Sequence, residues 1–216
     1  MRGVFVVFEG GDGVGKSTQT ALLVSWLTGQ GHEVVRTFEP GDGPVGQQIR
    51  HILLSTETDD LAPRAEALLF AADKAQHVHS VVRPALARGA VVVSDRYVDS
   101  TLAYQGAGRV LDVADLERIN GWAVDDLRPH LTVLLDLAPE HGVGRIAAKD
   151  RLEQAGDDFH TRARQGFLAL AARDPGRYLV LPARDDVEAI AAAVREKVSA
   201  LLPTVGSVQG LEGRAT

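Results

Sequence analysis

One stretch near the start limits what this chain can fold into more than any other: FEGGDGVGKST, Phe8 to Thr18. Gly10-x4-Gly15-Lys16-Ser17 fits the pattern G-x-x-x-x-G-K-[ST]. The apolar run VFVVF (Val4–Phe8) precedes it, and a helical pattern from Lys16 to Thr28 follows. Strand, glycine-rich turn and helix start, in that order, curl backbone N–H groups around an anion and add the positive end of the helix. Gly10, Gly11, Asp12, Gly13, Val14, Gly15, Lys16, Ser17 and Thr18 are therefore the candidate triphosphate-binding residues. Lys16 is expected to reach the β- and γ-phosphates, and the Ser17 hydroxyl to ligate Mg²⁺. The loop alone leaves open whether the γ-phosphoryl group goes to water or to an acceptor.

The rest of the chain continues the alternation. Glu33–Thr37, Ala90–Ser94, Leu131–Leu137 and Arg177–Leu181 read as further strands. Helical patterns cover Pro44–Leu54, Pro63–Leu86, Val113–Asp126, Pro139–Ile146, Asp157–Arg173 and Val187–Leu201. Continuous apolar strands separated by helices predict an α/β fold with a parallel sheet covered on both faces. Ligands then bind at the carboxyl ends of the strands. With 216 residues, 45% of them hydrophobic, the chain suits one domain over 1–202. Residues 203–216 lack periodicity and read as a flexible tail. A net charge of −6 speaks against a general nucleic-acid binder. No cysteine is present, so no disulfide frame forms. Val4–Phe8 is too short for a signal or membrane segment, and a cytoplasmic location is expected. His77 and His79, two apart on a helix, make a poor metal pair.

An acceptor site emerges from the other strand ends. Asp95, closing the third strand, is placed to organise Mg²⁺ or its waters, and Arg96 offers a fork to a second phosphate. Arg50, on the helix after FEPG, is a second candidate for that phosphate. Asp99 to Gly106 is polar and aromatic, suited to a sugar and a base. Phe70 and Lys74 share a helix face by their i, i+4 spacing, an aromatic platform with a donor one turn on.

Taken together, GGDGVGKST, FEPG, LLFAADKAQ, SDRYVDSTLAYQG and DRLEQAGDDFHTRARQGF resemble the bacterial thymidylate kinases, over about Val4 to Leu201. The resemblance implies a P-loop kinase three-layer sandwich, about five parallel strands with helices on both faces and a short lid near 141–153. It implies ATP and dTMP as substrates, Mg²⁺ as cofactor and a homodimer. By position, Asp12 matches the carboxylate near the sugar 3′-hydroxyl and acceptor phosphate, Arg96 the acceptor-phosphate arginine, and Phe70 the ring stacked on thymine. Tyr104 matches the ring under the sugar, and Thr101 and Gln105 the polar contacts around the base. Gly13 replaces the phosphate-loop arginine of some members, so catalytic charge is expected from the lid, with Arg145 and Lys149 ahead of Arg151.

Three positions depart from the family pattern: Phe38 where arginine precedes Glu-Pro-Gly, Lys74 where arginine is common, and Gly43 where threonine is common. They leave open a kinase for another or modified deoxypyrimidine monophosphate. A P-loop regulatory ATPase without an acceptor is the reading from a different class.

Overall fold

Val4–Gly10 forms β1, and all of its residues are buried. The reason lies in its neighbours. The further strands are β2 (Val34–Phe38), β3 (Val91–Asp95), β4 (Leu131–Asp136) and β5 (Tyr178–Pro182). They form one five-stranded sheet, ordered β2-β3-β1-β4-β5, with every pairing parallel. These elements come from a computed structural model that describes residues 3–58, 60–138, 151–152 and 154–202.

Alternate β1 side chains enter different cores, as strand geometry requires. Val4, Val6 and Phe8 pack with Leu23 and Leu27 of α1 (Lys16–Gly29) and Val194 and Val198 of α8 (Val187–Ser199). Phe5 and Val7 pack on the opposite face with Val78, Val82, Ala85 and Tyr97. The expected three-layer α/β sandwich is what the chain adopts.

Two helical stretches differ from the reading. The pattern over Pro63–Leu86 divides into α3 (Pro63–His77), a π-helical turn at Val78–Val82 and α4 (Arg83–Ala87). Pro84 supplies the cause: it has no N–H to donate, and its ring crowds the carbonyl of the preceding turn, so the helix widens there. The polar and aromatic stretch after Asp95, outside the helical patterns of the sequence, is helical. It runs as α5 (Val98–Thr101) into a π-helical segment, Leu102–Gly108, closed by Arg109 N–H to Tyr104 O at 2.9 Å. Helix α7 (Asp157–Arg173) lies against this segment. Gly108 permits the approach, since a Cβ there would sit 2.6 Å from the Phe159 ring.

Helices α2 (Gly43–Leu54) and α6 (Val113–Ala123) complete the described elements. Gly43 has φ 79°, a left-handed conformation that threonine rarely adopts, which gives that departure a backbone reason. The chain leaves β1 toward β2 on one side and returns from β3 to β4 on the other. The crevice beside β1 is where the strand order reverses, the usual ligand position in such sheets.

Candidate active site

The phosphate loop closes tightly because of Gly10. Its φ is 130°, and a Cβ there would lie 2.4 Å from Leu135 O on β4. No side chain caps α1, and its first turn carries no carboxylate. Lys16 is buried, its Nζ donating to Gly11 O at 2.6 Å and Gly10 O at 3.2 Å. Burial lowers its pKa to about 8 and nearby Arg96 adds to this, while Asp12, Asp95 and Glu9 oppose it. A phosphate alongside favours the charged form.

Ser17 Oγ donates to Asp95 Oδ2 at 3.2 Å, so the two expected metal residues meet at the mouth of the loop. Both are hard oxygen donors. Mg²⁺ commonly takes one or two carboxylates with phosphates and waters, and this sparse pair fits it. No group of three or more His, Cys, Asp or Glu suited to a metal occurs among the described residues.

Arg96 adopts φ 72°, a conformation costing a non-glycine residue about 1–3 kcal/mol. Its guanidinium donates to Gly10 O and Ser100 Oγ, each at 3.0 Å, and pairs with Asp12. It also lies over the Tyr104 ring, 5.3 Å from its centroid. Tyr104 Oη donates to Asp12 Oδ2 at 3.2 Å. Burial alone would raise the Asp12 pKa, but the charges of Arg96 and Lys16 outweigh it and hold it low. Asp12 is therefore a carboxylate framed by two cations.

Beyond Arg96 lies a cavity of about 140 Å³. Asp12, Arg50, Phe70, Lys74, Arg96, Thr101, Tyr104 and Gln105 all line it, so every acceptor residue read from the sequence meets in one place. Lys74 is buried, 3.4 Å from Glu39 Oε2 and 5.4 Å from the Phe70 ring centre. Thr101 Oγ1 is buried and makes no hydrogen bond. A buried polar atom left so costs about 1–3 kcal/mol, which a polar ligand would relieve. Gln105 has its amide nitrogen committed to Glu66 at 2.8 Å. Arg50 donates to Pro40 O at 2.7 Å and stacks over Phe38 at 5.9 Å. It also borders the cleft in front of the phosphate loop, about 800 Å³ in volume.

The lid candidates Arg145 and Lys149 lie outside the described residues, as do most of 141–153 and all of 203–216. Arg151 is described, and it is tied into the fold. It pairs with buried Glu66 at 2.5 Å and donates to Leu53 O at 3.0 Å. That partner, Glu66, lies on α3. Glu66 also receives Arg109 at 3.3 Å, and sequence reasoning did not find this hub. Its partners lie far away in the chain, and no local pattern marks it.

His77 was also passed over. Its Nδ1 meets Glu39 Oε1 at 2.7 Å, and its Nε2 meets Thr37 Oγ1 at 2.5 Å. Thr37 spends its own proton on Asp42. With Glu39 an acceptor on one side and Thr37 turned to Asp42 on the other, the surroundings favour the protonated ring. Burial would lower its pKa; the Glu39 hydrogen bond and charge, with Asp42 and Asp73, raise it instead. Asp73 is raised to about 6, by burial first and Glu39 second. Both folded values exceed the unfolded ones. The linked stability is thus full in acid and is lost as pH rises through about 6 and the raised His77 value. His77→Gln is expected to flatten the dependence of Tm on pH across this window. Parallel profiles for variant and parent would contradict the assignment.

The geometry joins a triphosphate loop to an acceptor pocket, and a family model described as thymidylate kinase matches residues 8–194. The chain belongs to the thymidylate kinase family. It is 58% identical over 202 residues to the thymidylate kinase of Cutibacterium acnes, covering 94% of this chain and 99% of that one. To the thymidylate kinase of Clavibacter sepedonicus it is 57% identical over 208 residues, covering 94% and 97%. The crystal structure of thymidylate kinase from Ehrlichia chaffeensis superposes with a TM-score of 0.76 at 28% identity, covering 92% of this chain and 99% of the other. Family membership agrees with the five parallel strands and with the order of motifs along the chain.

Proposed function

We propose that this chain transfers the γ-phosphoryl group of ATP to dTMP, giving dTDP and ADP. One observation carries the reading. The acceptor cavity and the phosphate-loop cleft share a wall made of Asp12, Glu39, Arg50 and Arg96. Two phosphates on either side of that wall meet across cationic groups, and phosphoryl transfer depends chiefly on such positioning and charge. Lys16 and the backbone of Gly13 to Ser17 hold the donor phosphates. Arg96 and Arg50 take the acceptor phosphate, Phe70 stacks on the base, and Thr101, Gln105 and Lys74 surround it. Ser17 and Asp95 hold Mg²⁺, which neutralises phosphate charge when bound. Arg145 and Lys149 supply further charge from the lid over 141–153.

The working unit on this reading is one domain over 1–202 with a tail after it, acting in the cytoplasm as a homodimer. Exposed Val45 and Ile52 on α2 and Leu68 on the adjoining α3 support a partner surface there. No helix among the described residues is long and apolar enough to cross a membrane. The decisive assay offers ATP and each nucleoside monophosphate in turn and scores ADP release. Preference for dTMP supports the reading. Preference for another deoxypyrimidine monophosphate moves the substrate, and equal release without acceptor makes the protein a hydrolase.

Two variants probe the acceptor side. The Tyr104 ring is fixed against Phe159 and Phe167, with centroids 5.8 Å away in each case, so it cannot yield to a ribose 2′-hydroxyl. Tyr104→Ala is expected to cut the preference for dTMP over its ribo counterpart by roughly tenfold, as one steric exclusion is worth about 1–3 kcal/mol. An unchanged ratio of kcat/KM values would remove Tyr104 from sugar selection. Phe38 is 43% exposed beside the cleft. Phe38→Arg adds a cation there and is expected to lower the dTMP KM by up to roughly tenfold, less than a full charge-assisted bond because Arg50 lies close. A higher KM for dTMP together with a lower one for another monophosphate would reassign the acceptor.

A further inference from the structure

Glu9 lines neither the acceptor cavity nor the phosphate-loop cleft, yet its carboxyl group is fully buried at the carboxyl end of β1, where burial and then Asp99 raise its pKa to about 8. Its contacts all run to one place. Glu9 Oε1 accepts from the backbone N–H of Tyr97 at 2.8 Å and of Ser100 at 3.2 Å. Glu9 Oε2 accepts from Ser100 Oγ at 2.6 Å. These groups belong to the turn that follows β3 and opens α5. Between β3 and Tyr97 stands Arg96, held at φ 72°.

Other contacts hold Arg96 itself. Arg96 N–H donates to Phe8 O at 2.9 Å, and Ser94 Oγ donates to Arg96 O at 2.8 Å. Both restrain the residue before the strained backbone returns to normal. After it, side chains anchor the segment through Tyr97 Oη to Leu127 O at 3.1 Å and Tyr178 Oη to Asp99, while the backbone itself is held by Glu9, which catches the next amide and that of Ser100. Glu9 also reaches the guanidinium through one atom, because Ser100 Oγ accepts from Arg96 while donating to Glu9. Side chain and backbone of Arg96 are thus referred to the same carboxylate, itself rooted in the central strand next to Gly10. We infer that Glu9 is a positioning residue for Arg96, stapling the β3–α5 turn so that the guanidinium faces the acceptor phosphate. This inference rests on the reading of Arg96 given above.

Its test uses steady-state kinetics on the full chain with ATP and dTMP. Glu9→Leu keeps the volume and removes both acceptors, leaving the amides of Tyr97 and Ser100 unpaired. It is expected to raise the dTMP KM at least tenfold, with the ATP KM within about threefold. Glu9→Gln retains an acceptor for the two amides and should recover most of the loss, which a purely bulk packing role would not require. In an Arg96→Ala background, Glu9→Leu should add less than about threefold, because coupled residues are not additive. Should Glu9→Leu not fold, Glu9→Asp withdraws the carboxylate by one methylene and takes its place with the same expectation. Full additivity with Arg96→Ala, or equal rises in both KM values, would overturn the inference. If Arg96→Ala itself leaves the dTMP KM unchanged, the fault lies in the role given to Arg96.

Discussion

Lys16→Ala is expected to lower kcat by roughly 10²–10³-fold or more, the scale seen when a group aimed at developing charge is removed. On the proposed reading, Lys16 sits where that charge forms. Its Nζ lies against the Gly10 and Gly11 carbonyls, inside the loop that curls around the donor phosphates. Phosphoryl transfer leaves the protein little covalent work, so a lost cation is not replaced by another route. The fold should survive, since Lys16 opens α1 and is not among the residues of the apolar cores. Circular dichroism and Tm monitor that condition, and Lys16→Met repeats the test with the side-chain stem kept. Near-normal turnover in both variants would remove the phosphate-loop assignment.

Arg96→Ala is expected to raise the dTMP KM by roughly ten- to a hundred-fold, as a charge-assisted hydrogen bond is worth about 1.5–3 kcal/mol. The ATP KM should move little. Arg96 does contact Gly10 O, so a shift of the loop is the competing explanation. Arg96→Lys separates the two. Lysine keeps the charge but not the planar fork, and it cannot bond Gly10, Ser100 and Asp12 together. A partial recovery of the dTMP KM points to charge on the acceptor phosphate. Rises in both KM values, with no recovery by lysine, would make Arg96 a strut of the loop instead of a substrate ligand.

Much of the site was legible because its residues are carried by local pattern. Gly10 to Thr18 is contiguous, and its chemistry follows from glycines at set distances from Lys16. Phe70 and Lys74 lie one turn apart, so their shared face follows from helical spacing and holds in the structure. Asp95 and Arg96 could be placed once the third strand was read, since strand ends point at the crevice. The segment from Asp99 to Gly106 was read for its chemistry but not for its shape. A π-helical stretch has no sequence period of its own, and here it is shaped by contact with α7, in particular Gly108 against Phe159.

The sequence by itself determined the alternation of buried strands and helices and the glycine-rich loop between β1 and α1, because each rests on spacing within one element, and it named residues that the fold brings to one cavity. Only the tertiary structure decided how those residues are held. Glu66 gathers Gln105, Arg109 and Arg151 from distant parts of the chain. The His77 pKa is raised by Glu39, and its ring is held by Glu39 and Thr37, which come from the end of β2 and the turn beyond it. Glu9 fixes the turn around Arg96 from a different strand. A buried charge is stable only where partners converge on it from several directions. That convergence joins residues far apart along the chain, and it exists only once the sheet has brought their strands side by side.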